Sequence, residues 1–268
     1  MRRLSFRIPA EAKEEVLDRL LPLLPAGVRE DEREGWVEVS SFAGALPPRA
    51  VLEGAAGGAL EAWEEEDVPA DWRKRRARFG GGGVLVRDRV LIRSPWDPPA
   101  PDGVVDVVVE RRGSAFGSGS HPTTQMCVAL MLALEPSGGA ADLGCGVGTL
   151  AITAAKLGWA PVVGVDRVAV AVEVARENVE RNGVDVTCAV ADLAVDDVPL
   201  AALLLVNAPP PVQERVAPAL TPEVRHVIVS GIVAGEVDAV VAGYRAAGYE
   251  PAEALGTEDE WIALRLSC

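Results

Sequence analysis

The stretch Asp142-Leu143-Gly144-Cys145-Gly146-Val147-Gly148-Thr149-Leu150 follows a short apolar strand pattern and enters a helix pattern at residues 149–157. Its three alternate glycines let the chain turn tightly and bring backbone N–H groups close to a ligand. A dinucleotide loop would read G-x-G-x-x-G and hold a pyrophosphate at the helix N-terminus. Here the third glycine comes one residue early, and the carboxylate of Asp142 would repel a phosphate but attract a cation. The stretch therefore predicts a ligand with a cationic end.

Two more carboxylates follow the next two predicted strands. Asp166 ends one strand, and Asp192 ends the next. At the shared edge of a parallel sheet, Asp166 could accept both hydroxyls of a ribose and Asp192 could meet an adenine amino group. An ammonium, a ribose and an adenine without any phosphate are groups of S-adenosylmethionine, which is the expected cofactor. Two alternatives stay open: these acids cap the helices that follow their strands, or the site binds another nucleotide.

Short apolar strands alternate with helical segments from about residue 105 onward. The predicted strands lie at 104–109, 140–143, 161–165, 186–190, 203–206, 227–229 and 261–266. The predicted helices lie at 123–134, capped by Thr123 or Thr124, and at 149–157, 169–182, 212–220 and 236–247. This alternation indicates a parallel sheet covered on both faces, a doubly wound (Rossmann-like) α/β domain with seven strands over residues 106–268.

The first 70 residues predict a small α+β unit. Strand patterns at 4–8, 36–39 and 60–63 alternate with helix patterns at 11–24 and 47–52, an order typical of a ferredoxin-like module. Residues 71–105 predict a basic connector rich in glycine and proline, with a hairpin formed by 84–86 and 90–92. The predicted domains are therefore 1–70, 71–105 and 106–268.

Composition excludes several classes of protein. No apolar run reaches 18 residues and no apolar stretch follows the basic N-terminus, so we expect neither a membrane span nor a signal peptide. The four cysteines lie far apart, which favours a reducing compartment, the cytoplasm. The only histidines, His121 and His226, have no cysteine at metal spacing, so no metal site is expected. The net charge of −14 lies mostly in residues 101–268, although residues 73–93 are basic, and it argues against direct nucleic-acid binding.

The quoted stretch resembles the D-x-G-x-G-x-G motif of class I S-adenosylmethionine-dependent methyltransferases. Residues 114–127, Ser-Ala-Phe-Gly-Ser-Gly-Ser-His-Pro-Thr-Thr-Gln-Met-Cys, resemble the A-F-G-[ST]-G-x-H-x-T-T segment of PrmA-type methyltransferases, which trimethylate amines of large-subunit ribosomal protein eleven. Further similarity lies in residues 178–183, 206–208, 230–232 and 260–261. The resemblance is strong over 113–268 and weaker upstream.

The resemblance implies a protein-lysine N-methyltransferase, with the substrate held by the N-terminal module. Family residues that match Thr124, Gly144, Asp166 and Asn207 contact the cofactor. Together with the residues argued above, the candidate cofactor-binding set is Thr124, Asp142, Gly144, Gly146, Gly148, Asp166, Asp192 and Asn207. Asn207 is also the candidate catalytic residue, because its side-chain oxygen and a backbone carbonyl could orient an incoming amine. His121 is expected to shape the loop over the pocket, with acid–base catalysis as the alternative. The expected partner is a ribosomal protein, bound by a monomer.

Three departures keep other functions open. Glu110-Arg111-Arg112-Gly113 stands where the family usually has Asp-Pro-Gly, Arg167-Val168 replaces a common x-D-P, and Ala208-Pro209-Pro210-Pro211 follows Asn207 where an aliphatic residue is usual. The alternatives are methylation of another protein or a small amine, and a cofactor-binding homologue without activity. A nicotinamide-dependent dehydrogenase is disfavoured by the early third glycine and by Asp142.

Overall fold

The structure, a computed structural model, describes residues 2–24, 28–33, 35–43, 46–67, 83–110, 119–257 and 260–268. The chain divides into two compact units. The small unit comprises Met1–Gly81 and Arg112–Ser114, and the large unit comprises Gly82–Arg111 and Ala115–Cys268. Within the described residues, no helix is long and apolar enough to cross a membrane.

The small unit has the ferredoxin-like arrangement that the sequence predicts. Its elements are β1 Arg2–Pro9, α1 Lys13–Leu20, β2 Arg29–Arg33, β3 Trp36–Ala43, α2 Arg49–Ala55 and β4 Glu61–Asp67. The strands lie in the order β2-β3-β1-β4, and every neighbouring pair is antiparallel. Alternate β1 residues Leu4, Phe6 and Ile8 are buried with Leu17 and Leu20 of α1, as the period-two and helical patterns predict.

The strand β2 is absent from the prediction. Its sequence is Arg-Glu-Asp-Glu-Arg, so it has no apolar residue that could reveal a period of two. It forms by main-chain pairing with β3 and lies at the edge of the sheet.

The predicted hairpin forms β5 Val84–Val86 and β6 Val90–Arg93, and β7 Val105–Val108 pairs in parallel with β6. These strands make a separate three-stranded sheet whose apolar side chains pack in a core of the large unit. The sequence pattern predicts the hairpin as part of a connector and predicts residues 104–109 as a strand of the large sheet. The second prediction is wrong, because β7 joins the three-stranded sheet. Short apolar strand patterns do not reveal which sheet a strand joins.

A seven-stranded sheet forms the centre of the large unit, which confirms the predicted doubly wound class. Its strands are β8 Ala140–Leu143, β9 Val162–Asp166, β10 Val186–Val190, β11 Leu203–Asn207, β12 His226–Val233, β13 Glu250–Gly256 and β14 Trp261–Ser267. Their order is β10-β9-β8-β11-β12-β14-β13, and only β14 runs against its neighbours. The prediction missed β13, an edge strand whose glutamates and proline give no apolar alternation.

Helices cover both faces of this sheet. They are α3 Pro122–Met131, α4 Thr149–Leu157, α5 Ala169–Asn182, α6 Pro210–Val216 and α7 Val237–Ala246. Residues of α3, α4 and α5 share one apolar core, and residues of α6 and α7 share another. The strand order reverses between β8 and β11, and ligands of open α/β sheets bind at the carboxyl ends of the strands at such a reversal.

Candidate functional site

The glycine loop, Gly144–Gly148, connects β8 to α4 and requires its three glycines. Gly144, Gly146 and Gly148 have φ angles of 86°, 52° and 85°, a region that side chains disfavour. The N–H groups of Gly144 and Cys145 both donate to the carbonyl of Val165, at 2.8 and 2.9 Å. A Cβ on Gly144 would have only the Cβ of Ala208 within 4 Å, at 3.9 Å, among the described residues. The space over Gly144 can therefore admit a ligand close to the backbone.

Asp166, at the end of β9, fixes this loop. Its Oδ2 accepts a hydrogen bond from the N–H of Gly146 at 2.8 Å, and its Oδ1 accepts one from the N–H of Val168 at 2.9 Å. Each carboxylate oxygen can accept a second bond, so a half-buried carboxylate held in this way is suited to receive two neighbouring hydroxyls.

Asp142, at the end of β8, is 2% exposed and accepts a hydrogen bond from the N–H of Ala151 in α4 at 3.0 Å. Burial raises the pKa of Asp142 to about 7, against the opposing effect of the Ala151 hydrogen bond and with a further rise from the charge of Asp166. The helix-capping role that the sequence left open therefore holds for this carboxylate. A cation bound nearby would lower its pKa and favour the charged form.

Asp192 follows β10 and is exposed. Its Oδ1 accepts from the N–H of Ala194 at 3.0 Å, so it caps the turn that follows. The N–H of Ala191 donates to the carbonyl of Asp166 at 3.0 Å, which brings the two strand ends together. Val168, 48% exposed and two residues beyond Asp166, adds an apolar surface that the prediction did not include, although an apolar residue at a helix start was visible in the sequence.

Asn207 ends β11 and contacts the start of α3. Its Nδ2 donates to Oγ1 of Thr123 at 3.2 Å, and that hydroxyl lies 2.8 Å from Nδ1 of His121. The backbone N–H of Thr123 also donates to Nδ1, at 3.4 Å, so Nδ1 is an acceptor and the hydroxyl donates to it. The order of donors therefore runs from Asn207 through Thr123 to His121, whose pKa is lowered by burial.

His121, and not a threonine, caps α3. Its side chain accepts from the N–H of Thr123, and Pro122 occupies the first helical turn, where no N–H is needed. The sequence prediction of a cap at Thr123 or Thr124 is thus wrong by two or three residues. His121 also packs edge-on against Trp261, with ring centroids 5.1 Å apart.

Thr124 is 1% exposed, and its hydroxyl has no hydrogen-bond partner among the described residues. Burying such a group without a partner costs about 1–3 kcal/mol. A polar group of a bound molecule would satisfy it, so this residue fits a ligand site beside Thr123 and Asn207. In the described part of the chain, no group of three or more His, Cys, Asp or Glu side chains could hold a metal ion, and the absence of a metal stays a prediction.

The predicted site residues all come from the carboxyl edge of the sheet and the start of α3. Direct contacts join Gly146 to Asp166 and Asn207 to Thr123. The sequence did not single out Gln213, which is 1% exposed in α6 and donates to the backbone on either side of Asn207. Because the polar residues Glu214 and Arg215 follow it directly, nothing in the local sequence distinguishes Gln213 from an exposed side chain.

The sheet order with its reversed β14, the glycine loop after β8 and the acid at the end of β9 define the class I fold of S-adenosylmethionine-dependent methyltransferases. Within that class, the chain belongs to the family described as ribosomal protein L11 methyltransferase (PrmA), whose model matches residues 63–267. The resemblance inferred from the sequence motifs is confirmed.

Individual relatives agree with this assignment. A ribosomal protein L11 methyltransferase of Geobacter metallireducens is 37% identical over 75% of this chain and 66% of its own length. One of Dechloromonas aromatica is 33% identical over 86% of this chain and 80% of its own length. A crystal structure of ribosomal protein L11 methylase from Lactobacillus delbrueckii subsp. bulgaricus matches with a TM-score of 0.60 and 25% identity, over 69% of this chain and 97% of that one. The chain spans 60–66% of the length of several curated relatives.

Proposed function

We propose that this protein is an S-adenosylmethionine-dependent N-methyltransferase that methylates lysine and α-amino groups of ribosomal protein L11. The family match over residues 63–267 carries the proposal. The site supports it because Asn207 ends β11 at the strand reversal, and its neighbour Ala208 lies close to Gly144 of the glycine loop.

The residues divide into two roles in this proposal. The cofactor, when bound, supplies a methyl group on a positively charged sulfur. Asp166 would hold the ribose, Asp142 the ammonium, and Asp192 the adenine, with the backbone of Gly144, Gly146 and Gly148 against the ligand. Thr124 would offer its unpaired hydroxyl.

Asn207 would orient the substrate amine. Its Nδ2 is bound to Thr123, so the carbonyl oxygen Oδ1 is the atom that would accept from the amine. Alignment of the nitrogen with the carbon–sulfur bond is the main catalytic contribution, since methyl transfer is an in-line displacement. Nδ1 of His121 already accepts from Thr123, which favours the loop-shaping role over that of a general base.

Transfer to purified L11 tests the proposal. The protein is incubated with labelled S-adenosylmethionine and L11, and intact and digested L11 are analysed by mass spectrometry. We expect mass increases of about 14 Da per methyl group, on lysine or N-terminal amines. L11 with a blocked N-terminus and with lysines changed to arginine serves as the control.

A second acceptor remains the alternative, and one observation favours it. The family model begins at residue 63, so most of the small unit lies outside the match. Purified L11 is added to a ribosome-free extract. Methylation of another protein in that mixture, with no methylation of the added L11, would support that alternative. Cofactor binding without transfer to any fraction would instead support a homologue without activity.

We further propose that the protein acts as a monomer in the cytoplasm, without membrane or direct nucleic-acid contact. The free state of all four cysteines and the net charge of −14 support this environment and this choice of partner. An acidic surface also suits a substrate rich in lysine.

A further inference from the structure

The carboxamide of Gln213 faces the carboxyl end of β11 and the middle of β12. Its Nε2 lies 3.0 Å from the carbonyl oxygen of Val206, 2.9 Å from that of Ala208 and 3.2 Å from that of Ser230. Carbonyl oxygens only accept hydrogen bonds, so the nitrogen, and not the oxygen, must face them. The two Nε2 hydrogens are shared among three acceptors on β11, β12 and the residue after Asn207.

Tyr244 of α7 fixes this orientation. It is fully buried, and its hydroxyl donates to Oε1 of Gln213 at 2.7 Å. Burial raises the pKa of Tyr244, so the hydroxyl keeps the proton that it donates. A flipped carboxamide would turn Oε1 toward three carbonyl oxygens, and the hydroxyl of Tyr244 therefore selects one arrangement.

The backbone that Gln213 holds is the one that carries Asn207. Val206 and Ala208 flank Asn207, and the N–H of Ala208 donates to the carbonyl of Ser230 at 3.1 Å. Gly231 has a φ of 76°, and a Cβ there would lie 2.8 Å from the nitrogen of Ala208, so the two backbones pack directly. Hydrogen bonds from Gln213 to the carbonyl oxygens on both sides of Asn207 therefore add to the apolar packing of Val206 and Ala208 in holding this segment.

We propose that Gln213 and Tyr244 are positioning residues that set the place of the Asn207 carboxamide relative to the substrate amine. The inference rests on the proposed N-methyltransferase function. Gln213 acts from one side through the backbone, while Thr123 acts from the other side on the Asn207 side chain.

The test compares three variants of the full chain. Tyr244→Phe removes the orienting hydroxyl but keeps the ring, and Gln213→Leu removes the donors at similar volume. Tyr249→Phe is the matched control, because its buried hydroxyl in the same core donates to the carbonyls of Thr221 and Val224, before β12 and far along the chain from Asn207. The measurements are kcat and KM for L11, Kd for S-adenosylhomocysteine, and amide hydrogen exchange of the peptide covering 204–212.

We expect Tyr244→Phe to lower kcat about tenfold and Gln213→Leu by more, since small misplacements at a reacting centre have large effects on rate. The Kd should change by less than about twofold, exchange over 204–212 should speed up, and Tyr249→Phe should keep the wild-type kcat. Equal losses of kcat in Tyr244→Phe and Tyr249→Phe, or unchanged kcat and exchange in Tyr244→Phe, would overturn the proposal. If the wild-type protein does not methylate L11, the proposed substrate is wrong, and the amide exchange of Tyr244→Phe alone decides. Exchange at the wild-type rate rejects the positioning role of Gln213 and Tyr244, and faster exchange supports it.

Discussion

Two strand-to-helix connections meet at the carboxyl edge of the large sheet, and they are held in opposite ways. The glycine loop, Gly144–Gly148, folds through its own backbone, and one partner carboxylate, Asp166, secures it. The Asn207 loop, Asn207–Pro209, leads into α6 through three consecutive prolines and is secured by a buried glutamine. The first leaves open backbone for a ligand, whereas the second presents one oriented side chain. From this difference we infer that the glycine loop binds the cofactor and that the Asn207 loop orients the amine that receives the methyl group.

The largest effect should come from the Asn207 loop. Asn207→Ala removes the oxygen that would accept from the amine, and we expect kcat to fall about 100-fold or more, with a smaller loss of cofactor affinity. Methyl transfer kinetics and calorimetry with S-adenosylhomocysteine measure the two quantities separately. Asn207→Asp keeps an acceptor and should lose less. Equal losses in rate and cofactor affinity would mean that Asn207 is purely a cofactor ligand, and the division of roles would fail.

The next effect should come from the glycine loop. Asp166→Ala removes the proposed acceptor of the ribose hydroxyls and the bond from the N–H of Gly146, and we expect cofactor affinity to fall by about 1.5–3 kcal/mol. Because the Asn207 loop, which would orient the substrate amine, is unchanged in this variant, kcat at saturating cofactor should stay near the wild-type value. Asp185→Ala, an exposed acid before β10, is the matched control and should bind normally. An unchanged affinity in Asp166→Ala would remove this residue from the site.

The smallest effect concerns Asp142 and depends on pH. Its pKa is raised to about 7 in the folded protein from an ordinary value of 3.8, so folding favours the protonated form. This contribution to stability is complete below pH 3.8 and is lost as pH rises through 7.

Asp142→Asn cannot titrate, so its stability relative to wild type should increase between pH 5 and pH 8, by about 1–3 kcal/mol. Denaturant unfolding at both pH values measures this difference. S-adenosylhomocysteine should narrow it, because a nearby ammonium would lower the pKa of Asp142. A difference that is the same at both pH values would show that Asp142 does not titrate in this range.

The comparison of the two loops also shows what the sequence could predict. The glycine loop was recognisable because positive φ angles require glycine, and residue type then reports backbone conformation directly. The Asn207 loop was recognisable by its family resemblance at residues 206–208 and by its position after a strand. What holds it, Gln213 and Tyr244, lies on two helices that come together only in three dimensions.

The same distinction applies to the fold. Strands such as β8 and β9 have apolar runs because both faces of the sheet are covered. The missed strands, β2 and β13, are edge strands with few apolar residues, and pairing with a neighbour forms them. The sheet that β7 joins depends on tertiary packing, which a strand pattern does not encode.

The charged strand β2 has a consequence for how the small unit can meet another protein. The other edge strand of that sheet, β4, reads Glu-Ala-Trp-Glu-Glu-Glu-Asp, so both edges carry mostly charged residues. Edges of this kind resist strand addition, in which a partner extends a sheet by main-chain pairing. We therefore expect any protein that docks on this unit to be recognised by side-chain contacts. Copies of this chain should also have little tendency to pair through these edges.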